Sequence, residues 1–323
     1  MNVLVNGLGN IGTTLANILL NHKETLGIDD VLIHKNIPKP WNISDLELLQ
    51  RRGAIPVRID DAISGIDFLF ECRSRATDLQ QLIDSAPQLI GACTQGGEAT
   101  FGLPFMSGVN DLTIVGEKRV HTVSCNTHGI ASILQLFGGA DLANIISADA
   151  VVVRRSDDIA NTEKLVGANV VVRHCNETFG THHGADLHSL FATIGIDCAV
   201  TTSDITTPSQ LMHAIRFSIE LKDSSMIQGI SPTDHVAFTE KFDSNKIFDL
   251  GRRYGDQGRI FSHSILVTPS LLLTNNTIKG WAFVPQEGNT VLSTIHAFLL
   301  QTRNDQTPEI METLSEALVV KHW

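Results

Sequence analysis

The chain has little of what a disulfide-stapled, membrane-spanning or nucleic-acid-binding protein needs. Its five cysteines, Cys72, Cys93, Cys125, Cys175 and Cys198, show no C-x-x-C spacing. An odd count argues against a disulfide framework and for a reducing compartment. No signal peptide precedes a first strand expected at Asn2, and no apolar run approaches the ~18 residues that cross a bilayer. A cytoplasmic protein without membrane contact is the expectation. Positive charge is scarce, with 24 Lys and Arg against 35 Asp and Glu and a formal net charge of −11. Phosphate backbones need a broad basic surface, so no nucleic-acid partner is expected. A small anion remains possible, because a few local cations and a helix N-terminus can hold one. No repeat or low-complexity segment occurs.

What is present is apolar material for two cores: 323 residues, 42% of them hydrophobic, exceed one domain of ~150 residues. Short β-branched runs alternate with helical patterns through the first third, at residues 2–6, 31–34, 67–71, 88–93 and 120–124, which implies βαβ units and a mainly parallel sheet. Beyond Cys125 the runs at 148–154, 197–202, 216–222, 264–268, 270–274 and 278–284 lie closer together with fewer helices between them. That texture fits an α+β domain with a mixed or antiparallel sheet. Asn275-Asn276 reads as a hairpin turn and Pro38-Lys39-Pro40 as a loop. Residues 290–300 place Val291, Ile295, Phe298 and Leu299 on one helical face. The expected division is 1–125 as a dinucleotide-binding domain, 126–288 as a catalytic domain, and 289–323 as a helical segment returning to the first.

The strand expected at 2–6 runs into Gly7-Leu8-Gly9-Asn10-Ile11-Gly12, a G-x-G-x-x-G sequence followed by an amphipathic helix with Ile11, Leu15, Ile18 and Leu19 toward the sheet. In that context the motif reads as a doubly wound (Rossmann) nucleotide loop. Gly7 and Gly9 permit the turn and close approach of a pyrophosphate, and Gly12 permits helix–strand packing. A plain strand-to-helix turn is the competing reading. The second strand ends in His34-Lys35-Asn36, with no acid for ribose hydroxyls. Lys35 can pair with a 2′-phosphate, so NAD or NADP is the expected cofactor, although a solvated loop lysine reads the same way.

Val123-Ser124-Cys125-Asn126-Thr127 is followed by helical spacing from Gly129 to Phe137, which sets Cys125 just ahead of a helix N-terminus that stabilises a thiolate. A thiolate beside a dinucleotide suits aldehyde oxidation through a hemithioacetal and a thioester, with a histidine as proton acceptor. Thirteen histidines are available, and spacing does not choose among them.

Gln95-Gly96-Gly97-Glu98, Val123–Thr127, Val153-Arg154-Arg155, His182-His183, Leu211-Met212-His213 and Gln286-Glu287, together with the opening V-N-G-x-G-x-I-G, resemble in type and order the landmarks of archaeal-type (type II) glyceraldehyde-3-phosphate dehydrogenases. The resemblance covers most of the chain. It implies Cys125 as nucleophile, His213 as general base, and His182 and His183 as contacts of the substrate phosphate. It sets Arg154 and Arg155 near cofactor and inorganic phosphate, Gly97 and Gln286 along the cofactor, and Ser124, Asn126 and Thr127 around the reacting group. The Asn126 peptide N–H is suited to the developing oxygen anion. It also implies a phosphorylated aldehyde and inorganic phosphate as ligands, and a homotetramer.

The chain departs from that pattern at His128, at 161–168, and at Cys72-Arg73-Ser74-Arg75, so erythrose 4-phosphate or another phosphorylated aldehyde is an alternative substrate, and a nucleotide-binding sensor an alternative function. A metal site from His174, Cys175, His182 and His183 is considered and set aside, because the adjacent His174 and Cys175 side chains on a strand point to opposite faces. No resident metal is expected.

Overall fold

The computed structural model describes residues 1–35, 43–73, 76, 78–95, 101–155, 170–208 and 211–323. The chain forms two compact units, one of Met1–Ser107, Asp111–Thr122 and Val291–Leu314, the other of Gly108–Asn110, Val123–Thr290 and Ser315–Trp323. The fold class is α/β with a parallel sheet and a second, mixed sheet, as the sequence pattern implies.

The first unit carries strands β1 (Asn2–Asn6), β2 (Asp30–His34), β3 (Ile55–Pro56), β4 (Phe68–Glu71), β5 (Gly91–Gln95), β6 (Leu103–Phe105) and β7 (Arg119–Thr122). They form one seven-stranded sheet in the order β3-β2-β1-β4-β5-β7-β6, all parallel. The order reverses between β1 and β4, the switch point at which such sheets take ligands. Val3, Leu4 and Val5 are fully buried, the continuous apolar run of a strand covered on both faces. Helices α1 (Asn10–Asn21), α2 (Ile43–Arg51), α3 (Ile59–Ala62) and α4 (Leu79–Asp84) lie between strands. α1 buries Leu15, Ile18 and Leu19, while Ile11 is half-buried.

Residues 290–300 were expected to form a helix, and one spans Val291–Gln301, α8 in chain order. Its Phe298 meets Phe68 edge-on at 4.9 Å, and Gln301 donates to the carbonyls of Ala92 and Glu117 at 3.2 and 2.9 Å. Gly91 allows this approach, since a Cβ there would lie 2.8 Å from the Phe68 ring. The strand expected at 88–93 is β5 at Gly91–Gln95 instead, because Ala86 and Leu89 are buried in the preceding turn. β3 and β6, at two and three residues, are too short to show a period.

The second unit holds β8 (Ile145–Arg155), β9 (Val171–Arg173), β10 (Val200–Thr207), β11 (His213–Leu221), β12 (Val236–Thr239), β13 (Ser264–Thr274) and β14 (Thr277–Val284), with α5 (Cys125–Gly138), α6 (His182–Ala192) and α7 (Ser244–Tyr254). The sheet order is β12-β13-β14-β11-β8-β10-β9. The pairs β8–β10 and β12–β13 are parallel and the rest antiparallel. The runs 264–268 and 270–274 are a single strand whose register shifts between Val267 and Leu272. Asn275 turns the hairpin with φ +54°, a left-handed conformation that asparagine tolerates. α5 presses on the sheet through Gly129, where a Cβ would lie 2.7 Å from Val284. The tail Lys321–Trp323 bonds along β12 through Phe238 at 2.9 Å on each side. Among the described residues no helix is long and apolar enough to cross a membrane.

Candidate active site

In the first unit the glycine-rich turn has the geometry a pyrophosphate requires. Gly7 has φ +100° and Gly12 would drive a Cβ to 1.9 Å from the Gly7 carbonyl, so neither position accepts a side chain. Gly9 is the exposed N-cap of α1 without a side-chain cap bond, and a Cβ there would meet nothing within 4 Å. The first peptide N–H groups of α1, at Asn10, Ile11 and Gly12, therefore start from an open cradle, the arrangement that binds phosphate. The Lys35 ammonium donates to the Leu8 carbonyl at 3.0 Å, which ties it to this loop. Arg73 lies against Gly7 and is matched by carboxylates on two sides, Glu71 at 2.8 Å and Asp78 at 2.8 Å. Gly97, with residues 74–75 and 161–168, lies outside the described residues.

In the second unit Cys125 is not ahead of the helix but is its first residue, and Ser124 is the N-cap. Ser124 Oγ accepts from the Thr127 peptide N–H at 3.2 Å and lies 2.8 Å from Thr127 Oγ1. The cap therefore takes the Thr127 N–H and not that of Asn126. The cysteine is half-buried at the positive end of a 14-residue helix, where a thiolate is favoured. Asn289, fully buried, donates to the Cys125 carbonyl and to the His263 carbonyl, each at 3.0 Å. His128 packs its ring against His263 at 4.8 Å and sets its Nδ1 3.1 Å from the carbonyl of the cap residue Ser124.

His213 opens β11 opposite Val284, the residue against which Gly129 packs. Gly129 follows Cys125 by four positions and so shares its helix face, and through Val284 that face of α5 packs beside the His213 end of β11. The Arg155 peptide N–H donates to His213 Nδ1 at 3.1 Å. An amide can only donate, so Nδ1 holds the lone pair and the ring proton sits on Nε2. Burial, and then the charges of Arg155 and Arg154, push the histidine down from 6.5 to about 3. The imidazole is neutral at physiological pH. Gln286 holds the same strand end: its Oε1 accepts from the His213 N–H at 3.4 Å and its Nε2 donates to the Leu211 carbonyl at 2.9 Å. Gln286 and Asn289 belong to one turn, in which the Asn289 N–H donates to the Pro285 carbonyl at 3.1 Å. That turn therefore grips both the cysteine and the histidine.

Around this pair the cations are matched by acids. Arg154 meets the buried Asp204 at 3.1 Å, and Glu287 lies between Arg155 at 3.5 Å and Arg259 at 3.1 Å. His183 is buried with Nδ1 3.4 Å from Ser124 Oγ, and with Nε2 3.3 Å from Asn126 Nδ2 and 3.7 Å from Asp204 Oδ1. Burial, followed by His182, Arg154 and His213, holds it well below the ordinary histidine range. His182 lies against it with ring centroids 3.8 Å apart and planes tilted by 46°, and is exposed. Ser124, Cys125, Asn126, Thr127, Arg154, Arg155, His182, His183, His213 and Gln286 thus belong to one connected neighbourhood of the second unit. Asp204, Glu287 as a charge partner, Arg259, Asp186 and Asn289 join it without having been expected. A sequence signal existed for Asn289 alone, three residues after Gln286 in the same Pro-Gln-Glu-Gly-Asn turn.

No family model matches the chain. Curated relatives match along most of it. A glyceraldehyde-3-phosphate dehydrogenase of Methanobacterium bryantii is 27% identical over 271 residues, covering 79% of this chain and 77% of the relative. One of Methanococcus maripaludis is 24% identical over 352 residues, 97% of each, and one of Methanocaldococcus jannaschii 25% over 338 residues, 96% of this chain and 97% of its own. With the motifs in the same order and similarity running nearly end to end, the chain is similar throughout to the archaeal glyceraldehyde-3-phosphate dehydrogenases, as a divergent relative of them.

Proposed function

We propose that the protein is an oxidoreductase that oxidises glyceraldehyde 3-phosphate, with inorganic phosphate, to an acyl phosphate, using NAD or NADP. The relatives named for this dehydrogenase support the oxidoreductase class. The observation that carries the specific chemistry is the turn 285–289, whose Asn289 holds the Cys125 carbonyl while its Gln286 holds the His213 peptide. The nicotinamide group, when bound, supplies the hydride acceptor, and the open turn at Gly7, Gly9 and Gly12 suits its pyrophosphate.

Cys125, as thiolate at the start of α5, adds to the aldehyde carbon. The C–S bond forms, the carbonyl π pair moves to oxygen, and no proton need transfer. His213, neutral with its proton on Nε2, donates to that oxygen, and the Asn126 N–H is a second donor. Loss of hydride from carbon leaves a thioester on Cys125. Inorganic phosphate then attacks the acyl carbon and the thiolate departs. The general-base role that the resemblance implies for His213 needs the other tautomer, with Nδ1 released from the Arg155 N–H. His182 and His183 contact the substrate phosphate, Thr127 and Arg155 the inorganic phosphate, and Arg154 the cofactor. The family reading carries with it a cytoplasmic homotetramer.

The test is a panel of phosphorylated aldehydes assayed with NAD and NADP, with and without inorganic phosphate, for wild type and Cys125→Ala. Phosphate-dependent reduction of the cofactor that is fastest with glyceraldehyde 3-phosphate and lost in Cys125→Ala supports the reading. Faster turnover of erythrose 4-phosphate reassigns the substrate. Cofactor binding without turnover, and without selective alkylation of Cys125, makes the protein a sensor.

A further inference from the structure

His182 and His183 are the first two residues of α6, and Asp186 follows them by four and three positions. On a helix those spacings bring both imidazoles onto the face of the carboxylate, whereas adjacent residues on a strand would diverge. The result is a group in which one ligand atom each of His182, His183 and Asp186 lies within 4.8 Å of the others. Ligand atoms about 2.0–2.2 Å from a tetrahedral zinc stand about 3.3–3.6 Å apart, so a small rotation of exposed His182 closes the set.

We infer that His182, His183 and Asp186 form a binding site for a divalent transition metal, zinc by preference, with the fourth position open on the side of exposed His182. Two imidazoles and one carboxylate are the donor set of a borderline ion and not of magnesium or calcium, which take oxygen. The local charges agree. Asp204 and Glu287 are each opposed by arginine, whereas Asp186 is met by His182 and the Thr127 hydroxyl. The chain of contacts also identifies the ligand nitrogen of His183. Thr127 touches both Asp186 and Ser124, and Ser124 Oγ lies 3.4 Å from His183 Nδ1, so Nδ1 faces the carboxylate. With the metal on Nδ1 the ring proton sits on Nε2, 3.7 Å from the buried Asp204 carboxylate, and the Asn126 amide, whose Nδ2 stands 3.3 Å from Nε2, turns over to present its oxygen; a carboxylate behind a ligating histidine fixes the ring and raises its basicity. Asp204 is thus a positioning residue for the metal.

The inference rests on this geometry and not on the aldehyde reading, although under that reading metal and substrate phosphate contend for the same histidines. The test is titration of chelator-treated protein with zinc chloride by calorimetry and with cobalt chloride by visible absorption, before and after Cys125 is blocked with iodoacetamide. One equivalent is expected to bind in both preparations, with tetrahedral cobalt bands and no sulfur-to-metal charge-transfer band. Affinity should fall more than about tenfold in His182→Ala and Asp186→Asn, and about tenfold in Asp204→Asn. Unchanged affinity in His182→Ala and Asp186→Asn, a charge-transfer band from thiolate, or no binding to wild type overturns the site. The cobalt spectrum of wild type reads the donor set even if a variant fails to fold. None of these readouts depends on enzyme turnover, so loss of the metal site and loss of the dehydrogenase reading are separable.

Discussion

Acidification should unfold this protein through His213 in a way one substitution can isolate. In the folded chain burial and the two arginines lower that histidine from 6.5 to about 3, whereas in the unfolded chain it returns to about 6.5. Above both values the ring is neutral in either state and contributes no pH dependence. Between them the unfolded state binds a proton that the folded state refuses, so stability falls as pH falls, by up to about 1.36 kcal/mol per pH unit. Spread over the full gap this approaches roughly 5 kcal/mol, and between roughly pH 6 and pH 4 it amounts to about 2–3 kcal/mol. His183 and His263, also lowered by burial first, act in the same direction and remain in the variant. Urea unfolding of wild type and His213→Gln at several pH values across this window measures the difference. The wild-type curve should fall more steeply by nearly one proton, whatever constant offset the substitution introduces. Parallel curves would mean that His213 titrates normally in the folded state, and the neutral-donor role built on it would fail.

The tautomer set by Arg155 makes a further prediction for the same residue: glutamine can supply a donor near Nε2, so His213→Gln should retain more activity than His213→Asn or His213→Ala, and equal loss in all three would favour a proton acceptor. Reduced alkylation of Cys125 near neutral pH in His213→Asn would report the coupling of imidazole and thiol. Asn289→Ala leaves the Cys125 and His263 carbonyls without their shared donor and should cost about 2–5 kcal/mol in denaturant unfolding; a change under about 0.5 kcal/mol shows that other groups satisfy them. Lys35→Ala should weaken NADP more than NAD in a binding titration. Equal weakening would assign Lys35 to holding the Leu8 carbonyl alone.

The parallel sheet was legible because its strands are buried on both faces and announce themselves as apolar runs, with Gly7, Gly9 and Gly12 punctuating the first crossover. The second sheet was legible as strands but not as an order. Its neighbours β11 and β8 are far apart in sequence, and pairing at that separation leaves no local period to read. α6 escaped notice because its apolar stripe, Leu187, Leu190 and Phe191, is only three residues long and follows five polar or small positions. α7 escaped because it is polar and charged over most of its length, with Ile247 and Gly251 its buried residues.

The site shows the same division between local and distant information. Cys125 could be read from the strand-to-helix change around it, and one detail moved: the serine before it, not the cysteine, is the cap. Asp204, Arg259 and the ion pairs of Glu287 carried no signal, since an acid or an arginine acquires its meaning from a partner that folding brings from 28 to 132 residues away. His182 and His183 read from the resemblance as contacts of the substrate phosphate, with no hint that they open a helix whose face also carries Asp186. A secondary-structure assignment thus decides a question of ligand chemistry. The inverse substitution tests the point: Ala185→Pro keeps every candidate ligand but strains the first turn of α6, where the Ala185 N–H bonds the Thr181 carbonyl at 3.4 Å. If that turn creates the site, this variant should lose metal while its far-ultraviolet circular dichroism barely changes, and retention of full affinity would show that the three side chains meet without it.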